Sequence, residues 1–360
     1  MLVEGAKEMT SYERIKGMVE GKKIDRIGVA AWYHMPLLDH NAKDFADGII
    51  QSCNFMKWDI CKVQSHSFYV SQAFGNDYIP STSAGLLFGP TTKYGVYHPK
   101  MYGELKVPSL SSPSVARELE VVKRVLDKLG GKIPVLATIF SPAYTARDLY
   151  GGMTFPQFFL NACKYSPEDT HKGLETISEF TMRLSEEFIK IGVDGVFWTE
   201  AFATTDLMDK ATHDEFVKKY DQPILEMINK KTWFNMLHVH GYKNLRFAEY
   251  EEANYPVQAY NWEDRFGGDE TGTTSLKQAR AFTDKILMGG IEFWHDFDSP
   301  ENDREAVKAV IKARLVDALE QLGPDDQKFI FTPGCSVKMH VPEYRMKLMH
   351  EVIEEVTGVE

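Results

Sequence analysis

Residues 166–200 read S-P-E-D-T-H-K-G-L-E-T-I-S-E-F-T-M-R-L-S-E-E-F-I-K-I-G-V-D-G-V-F-W-T-E, a helix signature followed at once by a strand signature. Ser166 and Pro167 form a cap and a first-turn proline, and Glu168 and Asp169 put acids on the positive end of the helix. Leu174, Ile177, Leu184, Phe188 and Ile191 recur at helical spacing, and Gly192 stops the helix. The run D-G-V-F-W-T (194–199) that follows is short, branched and aromatic, and predicts a buried strand. A helix leading directly into such a strand is the repeating unit of a parallel sheet.

The same alternation extends in both directions. Strands are predicted at 27–32, 59–64, 134–140, 194–199, 234–240, 257–261, 291–295 and 329–332. Further helices are predicted from Ser112-Pro113 to Gly130-Gly131, from about Thr274 to Met288 before Gly289-Gly290, and from about Pro342 onward. Eight strands suit a closed barrel, so the expected fold is a single α/β domain over residues 1–360, a (β/α)8 TIM barrel. Residues 65–111 and 141–165 are weakly periodic and rich in Gly, Pro, Ser, Tyr and Phe, and are expected as long loops at the C-terminal face. Their aromatics are expected to pack on the barrel rim.

Composition narrows the function classes. With 41 Lys+Arg against 52 Asp+Glu the formal charge is −11, which offers nucleic acid or an anionic membrane no general basic surface. The opening M-L-V-E-G-A-K-E-M-T lacks the order of a secretion signal, and no apolar run approaches the length of a membrane span, so a cytoplasmic protein is expected. Cys53, Cys61, Cys163 and Cys335 show no paired spacing and fit reduced thiols. Homo-oligomerisation is left open.

Barrel sites lie at the C-terminal ends of strands. There the chain carries Trp32-Tyr33-His34, Glu200 after Trp198-Thr199, Asn261, His295-Asp296, Cys335 and the run L-H-V-H-G. Residues two apart on a strand share a face, so His238 and His240 would both point into the mouth, and Cys335 past the last strand could join them. Two imidazoles and a thiolate suit zinc, and an open fourth position would make it catalytic. The competing reading is two hydrogen-bonded core histidines and a small buried thiol. Glu200 is read as a fourth ligand, a general acid or a cap. His295 and Asp296 are neighbours on a predicted strand and face opposite ways, against a direct pair.

A resemblance then emerges. The opening Y-E-R-I-K-G-M-V-E-G-K-K-I-D-R-I-G-V, the stretches F-S-P-A-Y-T-A-R-D-L-Y-G-G (140–152) and G-V-D-G-V-F-W-T-E-A (192–201), and the ending P-G-C-S-V-K-M-H-V-P-E-Y-R-M-K-L-M-H-E-V-I-E-E resemble the uroporphyrinogen decarboxylase superfamily over residues 11–356. The resemblance implies a (β/α)8 barrel. True decarboxylases carry R-Q-A-G-R after the first strand, where this chain has W-Y-H-M-P-L-L-D-H-N, and an aspartate after the second, where it has V-Q-S-H-S. Their L-G-H-G near the C-terminus aligns with P-G-C-S. The chain looks more like the corrinoid-dependent methyltransferases, which hold zinc with H-x-C-G at the fifth strand and a cysteine in P-G-C near the eighth.

That branch implies zinc on His238 and Cys335, with His240 in place of a cysteine. Two imidazoles and one thiolate leave the dication a net charge of about +1 rather than zero, which makes a stronger Lewis acid and a poorer site for a thiolate nucleophile. The expectation is therefore transfer of a methyl group from a small methylated donor, such as a methoxylated aromatic, to Co(I) of a partner corrinoid (cobalamin) protein. Glu200 or a water would supply the proton, and Trp32, Tyr33, His34, Trp198 and Asn261 would contact the substrate. The alternatives are a uroporphyrinogen decarboxylase and a non-catalytic corrinoid-binding relative; the latter would show an occluded mouth or no metal.

Overall fold

Eight parallel strands curl around one axis: β1 Gly28–Val29, β2 Cys61–Val63, β3 Val135–Phe140, β4 Gly195–Glu200, β5 Met236–Val239, β6 Ala259–Trp262, β7 Ile286–Ile291 and β8 Phe329–Pro333. The structure is a computed structural model that describes residues 8–83, 89–265, 273–298, 303–323 and 325–359. The hydrogen-bonded ladder runs β1-β8-β7-β6-β5-β4-β3-β2. Each strand is followed by a helix, in order α1 Ala42–Met56, α2 Pro113–Leu129, α3 Pro167–Ile191, α4 Lys219–Asn229, α5 Phe247–Glu252, α6 Leu276–Arg280, α7 Arg304–Leu322 and α8 Glu343–Thr357. The architecture is the expected (β/α)8 barrel.

Asp59 bridges β1 and β2, the two ends of the ladder. Its N–H donates to Val29 O at 2.8 Å, and its carboxylate accepts from Val29 N at 2.8 Å. Arg14 and Arg26 reach the same carboxylate at 2.6 and 2.7 Å, and Arg14 also grips Asp25 at 2.7 Å. A buried carboxylate with two guanidiniums is tolerable only because its oxygens are satisfied this way.

Ile60, Leu136, Phe197, Met236, Ala259, Met288 and Ile330 fill the barrel interior, while alternate residues such as Trp198, Leu237, Tyr260 and Leu287 pack under the helices. Helix α3 spans the predicted stretch, and Gly192 caps it at φ 106°, where a side chain would be strained.

Four predicted stretches change. The helix expected over 274–288 is only α6, and the seventh strand is Ile286–Ile291 rather than 291–295. Gly289-Gly290 does not end a helix; it lies inside the strand, because the barrel leaves no room for side chains there. A Cβ on Gly289 would sit 2.8 Å from Asp264 Oδ1, and Gly290, at φ 100°, would set one 2.9 Å from the Phe331 ring. Segment 141–165 is also two helices, Pro142–Leu149 and Pro156–Tyr165, rather than a loop. The first is buried along its whole length, Arg147 and Asp148 included. Segment 65–111 holds a short helix, Tyr69–Ala73, and a hairpin pairing Asp77–Tyr78 with Thr91–Lys93.

Candidate metal centre and substrate cavity

At the C-terminal mouth a cavity of about 370 Å³ opens between the strand ends, walled by Trp32, Phe140, Tyr144, Phe197, Phe293 and Trp294. His238, His240 and Cys335 reach it from β5 and from the turn after β8, and one ligand atom of each lies within 4.8 Å of the others. The two imidazoles meet edge to face at 5.4 Å, and Phe197 stacks on His238 at 5.1 Å.

Asn261 sets the chemistry of His238. Its Nδ2 donates to Met288 O at 3.2 Å and Pro333 O at 3.1 Å, so its Oδ1 must accept from His238 Nδ1 at 2.7 Å. The proton is thereby held on Nδ1, and Nε2 keeps the lone pair a cation needs. Burial, with the neighbouring His240, drives the His238 pKa well down, and burial with nearby Arg147 takes that of His240 to about 4. Both rings are neutral ligands at pH 7. Burial raises the Cys335 thiol to about 11, so a cation binding there must displace its proton. Two neutral imidazoles and a displaceable thiol proton fit a zinc ion.

The remaining sequence candidates divide. Trp32 and His34 line the cavity, and His34 contacts Gln64 Nε2 through Nδ1 at 2.9 Å, its pKa lowered by burial and by Lys62 to about 3. Tyr33 lines an adjoining hollow that shares His34 and Met339 with the cavity, and its hydroxyl donates to Glu343 at 2.6 Å. Asn261 stands behind His238 rather than on the wall.

Trp198 and Glu200 occupy the outward face of β4, and Phe197 and Thr199 take the inward positions. The Trp198 indole donates to Asp221 at 3.2 Å. Glu200 is fully buried beside Tyr250 and His213 and accepts from Phe202 N at 2.5 Å. Burial opposes its charge, but His213, Tyr250 and that amide outweigh burial and hold its pKa below the ordinary value. It is an ionised group outside the cavity wall, with no proton to give. His295 pairs with Glu292 at 3.0 Å and Asp296 with Arg314 at 2.9 Å, so these neighbours do not pair with each other.

A family model described as uroporphyrinogen decarboxylase (URO-D) matches residues 25–356. The chain belongs to the uroporphyrinogen decarboxylase family. Curated relatives include the methylcobamide:CoM methyltransferase MtbA of Methanosarcina acetivorans, 20% identical over 69% of this chain and 66% of its own. The methylcobamide:CoM methyltransferase MtaA of Methanosarcina barkeri is 21% identical over 70% of this chain and 68% of its own. The chain thus spans about two thirds of the length of these relatives. These likenesses favour the corrinoid-dependent methyltransferase branch of the family. Among solved structures, a methyltransferase from Methanosarcina mazei superposes with a TM-score of 0.77 over 97% of this chain and 99% of its own, at 17% identity, and so shares the fold.

Sequence reasoning passed over Lys62 and Gln64, which line the cavity of this family member beside His34. The signal was present in D-I-C-K-V-Q, where Ile60, Lys62 and Gln64 share one strand face and the first belongs to the barrel interior. Phe293 and Trp294 were hidden by the misplaced seventh strand. No helix among the described residues is long and apolar enough to cross a membrane.

Proposed function

We propose that this chain is a corrinoid-dependent methyltransferase that moves a methyl group between a small molecule in the aromatic cavity and the cobalt of a partner corrinoid protein. The observation that carries the reading is the convergence of His238, His240 and Cys335 on that cavity at the open end of a barrel of this family. His238, His240 and Cys335 would hold zinc. When bound, the ion supplies Lewis acidity toward the donor atom that gives up the methyl group.

The chain's own residues do the rest. Asn261 fixes the tautomer and direction of His238, and the aromatic walls orient a planar methyl donor and keep out water. The methyl group passes as a cation to Co(I), which becomes methyl-Co(III), and the oxygen left behind takes a proton from water. We favour cleavage of a methoxylated aromatic because His240, in place of a second thiolate, leaves the site more positive.

The reverse direction, methylation of a small thiol by a methylated corrinoid, is the second reading; the relatives named methylcobamide:CoM methyltransferases favour it. A decarboxylase finds no support in the cavity. No arginine lines it among the described residues, and Arg147, which lies beside Tyr144 and Asp148, is paired with Asp148 at 3.0 Å. The open mouth also disfavours a non-catalytic binding protein.

Anaerobic incubation with a reduced corrinoid protein and a panel of methoxylated aromatics tests the proposal through the cobalt spectrum. Conversion of Co(I) to methyl-Co(III) with release of the demethylated product is expected. Loss of methyl only from methyl-Co(III) to added thiols would reverse the direction, and silence in both would reject the reading.

A further inference from the structure

The chain has 52 acidic residues, yet neither Asp nor Glu lines the cavity among the described residues. Into that cavity β2 projects Lys62, 7% exposed. Its Nζ sits 4.4 Å from the Phe197 ring centre and 5.6 Å from that of Trp32, and it donates to Gln64 Oε1. It makes no ion pair with any described residue. The other lysine on the wall, Lys338, is paired with Asp298 at 2.8 Å.

A buried lysine without a counter-charge is rare, because removing an ammonium from water is costly unless an anion replaces the lost solvation. The amide of Gln64 cannot neutralise the ammonium, and its Nε2 is engaged with His34. A cation on His238, His240 and Cys335 adds about one further positive charge to the same cavity. A site of this sign, with aromatic walls, is complementary to a small flat or short-chain molecule carrying an anionic group.

We propose that Lys62 anchors the anionic end of the small substrate, a carboxylate or sulfonate, and thereby restricts the site to anionic molecules while their other end meets the metal ligands. This rests on the reading that the cavity holds the small partner in methyl transfer. The anionic group can belong to a methyl donor, as in a methoxylated aromatic acid, or to a thiol acceptor; both present the same charge to Lys62.

The test compares each acid with its neutral amide in binding to the full-length, zinc-loaded protein by titration calorimetry: meta-methoxybenzoate against meta-methoxybenzamide, and mercaptoacetate against mercaptoacetamide. The wild type is expected to prefer the acid of at least one pair by about tenfold or more, the ordinary worth of a charge-assisted hydrogen bond. Which pair responds identifies the source of the anion. Lys62→Met, close in volume and apolar, is expected to lose the preference while retaining wild-type zinc content and thermal stability, and to raise KM for the acid with little change for the amide.

Equal binding of acids and amides, weak binding of all four, or a preference that survives Lys62→Met would overturn the inference. Charge selectivity without methyl transfer would keep Lys62 as an anion anchor and reject the methyltransferase; transfer without selectivity would do the opposite.

Discussion

Asn261 shows how much one side chain behind the metal ligands decides. Because both its amide hydrogens are engaged by carbonyls, it can only accept from His238, which leaves a single usable lone pair on that ring. Asn261→Ala should lower zinc affinity by about 10- to 100-fold, the usual cost of losing such a partner. Competition with a chromophoric chelator reads the change. For the ligands themselves, His240→Ala should lower metal content sharply, and normal stoichiometric zinc in that variant would remove His240 from the set. Glu118 belongs to the same scale. Burial outweighs Arg117 and raises its carboxyl to about 8, against an ordinary value near 4.3. The folded chain therefore keeps a proton that the unfolded chain releases, and this contribution is present below about pH 4.3 and lost as pH rises toward 8, at up to about 1.4 kcal/mol per pH unit. Glu118→Gln should gain thermal stability over the wild type progressively from pH 5 to pH 8; a constant gap would contradict this.

At the scale of elements, α3 and β4 were legible because first-turn proline, apolar stripe, glycine stop and strand all agree over residues 166–200, while Ser166 holds the N-cap position without a side-chain hydrogen bond. The run I-L-M-G-G-I misled because paired glycines usually end a helix, and only the packing of Asp264 and Phe331 explains them inside β7. Gly290→Ala combines a left-handed φ with a Cβ 2.9 Å from Phe331, and should destabilise the fold by about 1–3 kcal/mol in denaturant unfolding. The candidate site was half legible for the same reason. His238, His240 and Cys335 announce themselves by residue type and strand face. Trp198 and Glu200 fall one position out of phase with the cavity, so the wall position goes to Phe197. Lys62 was missed because a lysine on a strand reads as solvated, although it shares a face with Ile60, which fills the barrel interior.

At the scale of the whole molecule, acids outnumber bases, but the described cavity wall does not share that excess. Among the described residues the cavity carries lysine, histidine and thiol but no carboxylate, so the charge of −11 says nothing about the substrate while the local charge says a good deal. Family membership, barrel architecture and donor set meet at that mouth, where, in the proposed function, a partner's cobalt would approach. A metal held by His238, His240 and Cys335 is proposed to enable methyl transfer there. The most direct test follows methyl-Co(III) formation by chelator-stripped protein, by the same protein after stoichiometric zinc is restored, and by Cys335→Ser under both conditions. The proposed role of the metal predicts loss of turnover on stripping, recovery with zinc in the wild type, and little recovery in the variant. Full turnover by protein shown to be metal-free would contradict it.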